Sequence, residues 1–478
     1  MLSTLTEAVD LIKRATGQAP DLDALSFADP QVYEMLAQAD TLGVFQVESR
    51  AQAQMLSKLK PRCFADLIIA ISLIRPGPVQ GNMVRPFLRR RAGLEPVTYL
   101  HPLLESALAE TLGVILFQEQ VLKVARDLAG FSAGQGELLR RALGAKRAEA
   151  AIRQFQADFL AGAQQKGVPP DIAGQVFDQL AAFGSYSFAK SHAAAFAVIV
   201  YQSAWLKRHH FEAYYAALLN TRPGFWPPSI LVNEVQRRGG TVLGVDIHHS
   251  QANCTLEGKA IRLGLTYVKG LGEAQIERIV VCRQERPFTD LTDFCRRTGI
   301  GRRLVERLIL AGAMDEWDVP RRQLVWQLGT LSYKEEGLTL PDDPTEITLP
   351  PLSQADQLLA EQSVMGVSTG PHVLSFYRTW LDANNILDGR QLAETPHGRR
   401  VRVAGLLVVH QSPPTAKGFH FLTLETETGL INVIVRPAVY RQYSPLLRTA
   451  HLLLVAGVVQ QEEGVTNVLA GHMGRLDG

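Results

Sequence analysis

Apolar residues recur at helical spacing through the first 220 residues of this 478-residue chain. One amphipathic stretch runs from Leu2 to Arg14, and a second helix is expected to begin near Asp29, where Asp-Pro supplies a cap and a proline in the first turn. The same period predicts further helices at residues 113–129, 170–183 and 193–207. The first part of the chain is therefore predicted to be mostly α-helical.

The pattern changes to alternation after Arg399, and the apolar positions there predict several short strands within about 75 residues. Strands at this spacing are typical of a small closed barrel such as an OB-fold. Two further changes in composition divide the chain, a joint rich in proline at residues 221–228 and a stretch of poor helix formers at 331–352. We therefore predict a multidomain fold with four parts. They are a mostly α-helical domain at 1–220, a helix-hairpin-helix region at 221–330, a linker with short helices at 331–398, and an all-β OB-fold-like barrel at 399–478.

Composition narrows the class of protein. With 46% apolar residues the chain can bury several cores, and it has no apolar run of the roughly 18 residues that a membrane span requires. The N-terminus lacks the regions of a signal peptide, and the four cysteines are scattered without CxxC pairs. We expect reduced thiols, a cytoplasmic location, no membrane partner and no metal bound by this chain alone.

The net charge of +2 conceals a local excess of positive charge. Residues 50–100 contain nine lysines and arginines against two acidic residues, and an acidic stretch at 335–346 offsets part of the excess. A basic surface on a nearly neutral protein suggests a polyanion bound at one place, although charge runs are more often solvated faces.

A short glycine motif gives the first specific indication of function. Lys269-Gly270-Leu271-Gly272 has the form of a helix-hairpin-helix turn, in which a tight Gly-x-Gly turn between two helices exposes backbone amides. Such amides hold a DNA phosphate without reading sequence. A degenerate second copy is predicted from Ile300 to Ala313. The alternative is an ordinary tight turn between helices.

The predicted barrel adds candidate contacts to single-stranded nucleic acid, because OB-folds bind strands by stacking and charge. Phe419 and Phe421 alternate on one face, where we expect them to fill the barrel interior. His420 then lies on the opposite face and is the better candidate for contacting DNA.

Five blocks between residues 40 and 207 resemble the fingers of bacterial family C DNA polymerases, the group that contains the replicative polymerase III alpha subunits. The blocks are Gly43 to Ser49, Arg75-Pro76-Gly77-Pro78, Gln118-Glu119-Gln120, Leu139 to Lys146, and Lys190-Ser191-His192-Ala193-Ala194. The resemblance continues to the barrel, where residues 419–425 and 431–437 are most similar to the error-prone branch of the family.

The resemblance implies a nucleotide pocket in this chain. By their positions in the matching blocks, or for Tyr186 in the Tyr186-Ser187-Phe188-Ala189 stretch directly before the last block, the residues implied are Arg75, Arg140, Arg141, Lys146, Tyr186, Lys190, Ser191 and His192. Arginine pairs bidentately with phosphate oxygens, which suits a triphosphate ligand. Without the resemblance, surface charge on a helix would be the default interpretation of the two adjacent arginines, and Arg75 could equally be structural.

The catalytic carboxylates of the family are expected upstream of the fingers. Polymerases extend a primer by two-metal phosphoryl transfer with Mg²⁺ held by aspartates, and the resemblance places these in a palm that precedes the segment matching residues 2–13. We find no Asp-x-Asp in a strand context before Asp40. The expectation is therefore that the palm is missing and that this chain alone is inactive, whereas the complete polymerase uses Mg²⁺.

The sequence thus predicts part of a DNA-directed DNA polymerase for error-prone synthesis across damage, with primer-template DNA and deoxynucleoside triphosphates as partners. One alternative is a non-catalytic DNA-binding protein from a truncated gene. Another is a docking subunit, because residues 354–359 loosely resemble a sliding-clamp peptide, a pattern that is more often an ordinary amphipathic turn.

Overall fold

The computed structural model describes residues 1–74, 80–144, 149–184, 188–334, 337–339, 349–413, 416–462 and 465–476. The chain divides into two compact units, one formed by residues 21–208 and the other by residues 1–20 together with 209–478. The predicted division into four domains is a finer one and stays a prediction. No helix among the described residues is both long and apolar enough to cross a bilayer.

The chain opens with α1 (Leu2–Thr16), which confirms the predicted amphipathic helix. In residues 21–208 the regular elements of the described part are all helices. Its α-helices are α2 (Pro30–Ala37), α3 (Arg50–Leu59), α4 (Phe64–Leu73), α5 (Gln80–Arg91), α6 (Glu105–Leu108), α7 (Gln118–Ala129), α8 (Ala133–Gly144), α9 (Glu149–Gln165), α10 (Pro170–Gly184) and α11 (Lys190–His209), with 3₁₀ turns at Pro102–Leu104 and Ala109–Thr111. The predicted cap is confirmed, since the Asp29 carboxylate accepts from the Gln31 amide at 2.8 Å and Pro30 opens α2.

Two hydrophobic cores stabilise this unit. One joins α2 to α5 with the central part of α11, and the other packs α7, α8, α9 and α10 around Phe159 and Phe177, both buried. The prediction of a helix from residue 113 is wrong at its start. Leu112 has a left-handed backbone, and the Gln120 side-chain oxygen accepts from the Leu116 and Phe117 amides at 2.8 and 3.0 Å, so the helix begins only at Gln118.

The second unit combines α1 with a mixed region and the barrel. Its elements before the barrel are α12 (Phe211–Thr221), α13 (Pro228–Arg237), β1 (Thr241–Leu243), β2 (Thr255–Glu257), β3 (Ala260–Arg262), α14 (Glu273–Glu285), α15 (Leu291–Thr298), α16 (Arg302–Leu310), α17 (Arg321–Thr330), β4 (Ser332–Lys334), β5 (Gly337–Thr339), α18 (Gln354–Met365), α19 (Arg378–Ala383) and α20 (Gly389–Ala393), with 3₁₀ turns at Leu265–Tyr267, Asp315–Trp317 and Val373–Tyr377. The strands form a three-stranded sheet of order β1-β3-β2 and a separate β4–β5 pair.

The last part of the chain is a closed five-stranded barrel. Its strands are β6 (Arg400–Gln411), β7 (His420–Thr426), β8 (Gly429–Val435), β9 (Leu452–Glu462) and β10 (Val465–Arg475), and α21 (Pro437–Thr449) connects β8 to β9. The order around the barrel is β10-β8-β7-β6-β9, with β10 and β9 also paired and only β10–β8 parallel. This confirms the predicted fold class, a mostly helical region followed by an OB-fold-like barrel.

The barrel interior corrects one expectation. Leu422 and Leu424 are fully buried in its core, and successive residues of a strand point to opposite faces. The prediction that Phe419 and Phe421 fill the interior is therefore wrong, because Phe421 lies on the other face of β7. The segment is apolar on both faces, so alternation alone could not fix which set of side chains points inward.

Candidate nucleotide and nucleic-acid sites

Two of the five sequence blocks meet at the start of α7 and α11. The Glu119 carboxylate accepts from the Lys190 amide with both oxygens at 3.1 Å, and the Gln118 amide donates to the Phe188 carbonyl at 2.9 Å. Glu119 thereby satisfies an amide at the N-terminus of a 20-residue helix, where negative charge is favourable. We call this meeting point of residues 117–120 and 188–192 the α7–α11 junction.

The predicted residues of the last block lie on the first turn of α11. The Lys190 ammonium forms an ion pair with Glu110 and lies 5.7 Å from the centre of the Phe117 ring. Ser191 and His192 are exposed, and the His192 ring lies between two phenylalanines, with centroids 5.1 Å from Phe188 and 4.4 Å from Phe196. The two ring contacts orient the imidazole while leaving it open to solvent.

Arg140 and Arg141 lie on α8 and share a carboxylate partner. Arg140 binds both oxygens of Glu137 at 2.8 Å, and the Arg141 Nε donates to Glu137 Oε1 at 2.9 Å. These hydrogen bonds lower the pKa of Glu137 to about 2, so it is ionised at neutral pH. Arg140 also reaches Gln118 Oε1 at 3.4 Å, which connects α8 to the α7–α11 junction.

The structure thus brings Arg140, Lys190 and His192 to one region of the helical unit. Arg75, Lys146 and Tyr186 were also predicted in the pocket and lie outside the described residues. Each of the cations described there is held by a carboxylate, which sequence reasoning missed. A triphosphate entering this region would have to compete with those carboxylates for the same donors.

Part of the predicted basic surface is neutralised in the same way. Asp66 is buried and pairs with Arg91 at 2.7 Å, and Glu95 lies 3.4 Å from Arg89 and 3.6 Å from Arg90. Both acidic residues of this segment are therefore engaged by arginines of the same segment, which leaves fewer of its cations open.

The first glycine motif forms a turn before α14. Gly270 has φ 83°, which favours glycine, and Gly272 precedes the first residue of α14, leaving the amides of Glu273 and Ala274 without acceptors within the helix. One detail of the prediction is wrong, because a single 3₁₀ turn and not an α-helix precedes it. Lys269, predicted to contact DNA, donates from its exposed ammonium to the Ser363 carbonyl at 2.8 Å.

The second hairpin has α-helices on both sides, with α15 ending at the left-handed Gly299 and α16 beginning after Gly301. An arginine of each hairpin holds the turn of the other. Arg278 of α14 donates to the Thr298 carbonyl at 3.0 Å, and Arg307 of α16 donates to the Lys269 carbonyl at 2.5 Å.

These two arginines were missed, although the sequence contains a signal for them. Arg278 and Arg307 each lie six residues after the second glycine of their own hairpin, Gly272 and Gly301. The matched spacing and the reciprocal hydrogen bonds fix the two turns relative to each other, so that both helix N-termini form one preorganised element.

The expectation that His420 lies on the outward face is wrong, because it precedes the buried Leu422 by two residues and so lies on the same face of β7. It is half-buried in the barrel, and its interactions are with other aromatic side chains. Its ring stacks on Tyr440 of α21 with centroids 3.4 Å apart and planes within 12°, and its Nδ1 lies 3.0 Å from His410 Nε2. Burial lowers the pKa of both histidines. At neutral pH His420 therefore offers a stacking ring and not a cation.

One cluster has the composition of a metal site. Asp246, His248 and Glu316 bring a ligand atom each within 4.8 Å of one another. However, His248 Nδ1 lies 2.7 Å from Glu316 Oε2 and its Nε2 lies 3.2 Å from the Phe288 carbonyl, and both oxygens are acceptors. Asp246 Oδ1 accepts from the amides of His248 and His249. Both ring nitrogens of His248 thus face hydrogen-bond acceptors, so hydrogen bonding accounts for this geometry without a metal.

The sequence is similar to known DNA polymerases over its whole length. A family model of the bacterial DNA polymerase III alpha subunit finger domain matches residues 1–167, and a helix-hairpin-helix model matches residues 239–324. Proteins named error-prone DNA polymerase are 41% identical in Mycolicibacterium paratuberculosis, 39% in Corynebacterium diphtheriae and 41% in Alkalilimnicola ehrlichii. The matches cover 100%, 100% and 99% of this chain.

The chain spans less than half the length of these relatives, 44%, 46% and 47% respectively. The finger-domain match extends into α9 and includes residues 117–120 of the α7–α11 junction but not residues 188–192, and the hairpin match includes both glycine turns. On these grounds the chain contains the finger domain of the bacterial DNA polymerase III alpha subunit and a helix-hairpin-helix motif, and it is similar over its whole length to part of the error-prone DNA polymerases.

Proposed function

We propose that this chain is the part of an error-prone DNA polymerase that binds the incoming deoxynucleoside triphosphate and holds the primer-template during synthesis across damaged DNA. The observation that carries the proposal is the full-length similarity to error-prone DNA polymerases, at 39–41% identity in three organisms. In the complete enzyme, Mg²⁺ supplies the charge stabilisation of phosphoryl transfer.

The α7–α11 junction supports the nucleotide part of this proposal. Arg140 and Lys190 supply cations at this junction, Arg141 adds a second cation on Glu137, and the exposed His192 adds a donor on the first turn of α11. Charge-assisted hydrogen bonds from such groups to phosphate oxygens are strong, and a helix N-terminus favours the same ligand. We propose that the triphosphate replaces Glu137 as the partner of the two arginines.

The paired hairpins and the barrel support the DNA part. The open amides at the start of α14 and α16 suit phosphates of a duplex, and Lys269 retains ammonium donors beyond its bond to Ser363. His420 with its stacked Tyr440 suits an unpaired base. None of these contacts distinguishes one base sequence from another, so we propose binding without sequence preference.

Titration of labelled primer-template DNA and of a fluorescent deoxynucleoside triphosphate into the purified chain tests both parts. We expect DNA affinity that falls steeply with salt and is the same for unrelated sequences. Arg140→Ala removes charge-assisted bonds worth about 1.5–3 kcal/mol and should weaken nucleotide binding about 10- to 100-fold. The control is Arg126→Ala, because Arg126 also forms an exposed ion pair, with Asp127 at 2.7 Å, but lies at the other end of α7.

Three outcomes would contradict the proposal. Absence of DNA binding at low salt removes the DNA part, and equal loss of nucleotide affinity in the two arginine variants removes the assignment of Arg140. Primer extension by the purified chain alone would show that it carries its own catalytic carboxylates, contrary to the expectation that it is inactive alone.

Two other functions were considered. A non-catalytic DNA-binding protein would bind DNA equally well, and the nucleotide titration separates the two because such a protein has no use for a triphosphate. For the sliding clamp, residues 354–359 form the first turns of α18 with Ser353 as the cap, and Leu359 is 63% exposed. Clamp binding by this segment stays a prediction.

A further inference from the structure

A concave surface lies on the outside of the barrel, over the first half of β6 and the adjoining parts of β9 and β10. Its volume is about 840 Å³. The lining residues that matter here are Arg399, Arg400, Arg402, Ala456, Gly471 and His472, which we call the arginine trough. It is a different face of the barrel from that of His420, because the first half of β6 pairs with β9 and the second half with β7.

The strand register builds this surface. Arg400 and Arg402 are exposed, whereas Val401 between them and Val403 after them are buried in the barrel core, so both arginines point outward from the same strand face. Arg402 pairs with Ala456 on β9, which pairs with His472 on β10. This cross-strand row therefore has a small residue in the middle and a long polar side chain at each end.

The charge of the trough is one-sided. Among the described residues that line it there are three arginines and a histidine and no carboxylate. Arg402 is anchored by a hydrogen bond to the Asn384 carbonyl, whereas Arg399 and Arg400 form no ion pair with any carboxylate in the described part of the chain. By contrast, the adjacent Arg140 and Arg141 of α8 are both paired with Glu137. Cations left open on a concave wall favour an anionic ligand.

The shape selects among anionic ligands. The volume is that of a pocket for a small molecule, which admits a few nucleotides of one strand but not the convex surface of a duplex. Beside the trough, the Tyr443 hydroxyl lies 3.0 Å from His472 Nδ1. A positively charged groove that follows the backbone is one of the two usual elements of single-strand binding.

We propose that the arginine trough binds the sugar-phosphate backbone of single-stranded DNA, as a second strand-binding surface apart from the His420 face. This deepens the proposed function and rests on it. A strand held at both faces would remain attached to the barrel when a damaged base cannot occupy the stacking position at His420.

The experiment compares two double variants of the whole chain. Arg399→Gln with Arg400→Gln removes two open cations from the trough and leaves the anchored Arg402 in place. Arg441→Gln with Arg448→Gln removes two exposed arginines from α21 and is the control for net charge. Binding of a fluorescent single strand and of a blunt duplex is measured for each at several salt concentrations.

For single strands, the logarithm of affinity falls with the logarithm of salt concentration with a slope of about −0.7 per phosphate contact. We expect the trough variant to lose up to two contacts, which makes the slope shallower by about 1.4, while duplex binding and the control variant keep their slopes. Gly471→Leu should weaken binding of single-stranded DNA without any change in charge, because the leucine side chain would occupy space in the trough. The β-strand can accommodate it, since a Cβ at Gly471 has its nearest neighbour 3.6 Å away.

Unchanged slopes in the trough variant, with DNA still bound, would overturn this inference and leave the proposed function intact. Failure of the unmodified chain to bind either DNA would overturn both. Poly-glutamate is the competitor that separates an acidic protein from DNA. If poly-glutamate binds to the unmodified chain and not to the trough variant, and single-stranded DNA does not displace it, the partner is an acidic protein and the inference is wrong.

Discussion

Replacement of the buried Lys207 is expected to have a large effect on the stability of the helical unit. Its side chain is fully buried, and its ammonium donates to Asp40 Oδ1 at 2.7 Å, to the Leu42 carbonyl at 2.8 Å and to the Asp40 carbonyl at 3.2 Å. These bonds fix the loop that carries the first of the five sequence blocks. Lys207→Met keeps the length and the apolar stem of the side chain and removes all three donors.

The size of the effect follows from the burial of the pair. Removing one partner of a buried ion pair costs about 3–5 kcal/mol, and because Asp40 is 26% exposed we take the lower end, about 3 kcal/mol. For a unit of the size of residues 21–208, each kcal/mol corresponds to roughly 2–4 °C, so Tm should fall by about 6–12 °C. Amide hydrogen exchange in residues 40–48 should accelerate as well.

Lys166→Met is the matched control, measured by the same calorimetry and hydrogen exchange. Lys166 also donates to two backbone carbonyls, those of Arg126 and Asp127, both at 2.9 Å, but it is exposed. Its loss should change stability by no more than about 0.5 kcal/mol. Equal shifts in Tm for the two lysine variants would refute the reasoning, since burial would then have no influence on how much the hydrogen bonds of a lysine contribute to stability.

Three further predictions concern other parts of the chain. Glu137→Gln should strengthen binding of a deoxynucleoside triphosphate in a fluorescence titration, because it releases both arginines of α8, and weaker binding would show that Glu137 orients them. In the unmodified chain, NMR should find the pKa of Glu137 lowered to about 2, so its contribution to stability is present above its ordinary pKa of 4.5 and is lost as pH falls from there to about 2. Gly162→Ala should destabilise the helical unit in thermal melts, because a Cβ there would lie 2.0 Å from the Ala129 carbonyl oxygen, and an unchanged Tm would contradict the close approach of α7 and α9. The lowered pKa values of His410 and His420 mean that the unfolded chain takes up protons first as pH falls, so the barrel should lose stability below about pH 6.5, and a flat profile in urea melts between pH 7 and 5 would contradict this.

Local signals predicted much of the fold. The cap at Asp29, the amphipathic stretch of α1 and the alternation after Arg399 all act within a few residues, and the structure has the corresponding elements. The start of α7 was wrong because the competing interaction is a side chain, that of Gln120, which binds amides before the helix. Periodicity of apolar residues contains no information about such a bond.

The candidate nucleotide site was predicted less completely, because its charge balance depends on distant residues. Lys190 pairs with Glu110 and its amide with Glu119, partners 80 and 71 residues away, and no spacing rule connects them. Glu137 was within reach of sequence analysis, since it lies three and four residues before the arginines that it binds. Because Glu137 is present, Arg140 and Arg141 are both paired with a carboxylate and are not free cations.

The closure of the barrel has a consequence for how fast the chain refolds. Arg400 pairs with Val458 and Asn432 with Asn467, so the barrel depends on contacts between distant parts of the sequence, whereas the helices of residues 21–208 form mainly from local contacts. Long-range strand pairing is slow compared with helix formation. The helical unit should therefore regain its structure first, leaving a period in which unpaired strands of the barrel are exposed to other molecules. The yield of correctly refolded protein should therefore decline as protein concentration rises, because the unpaired strands of the barrel aggregate.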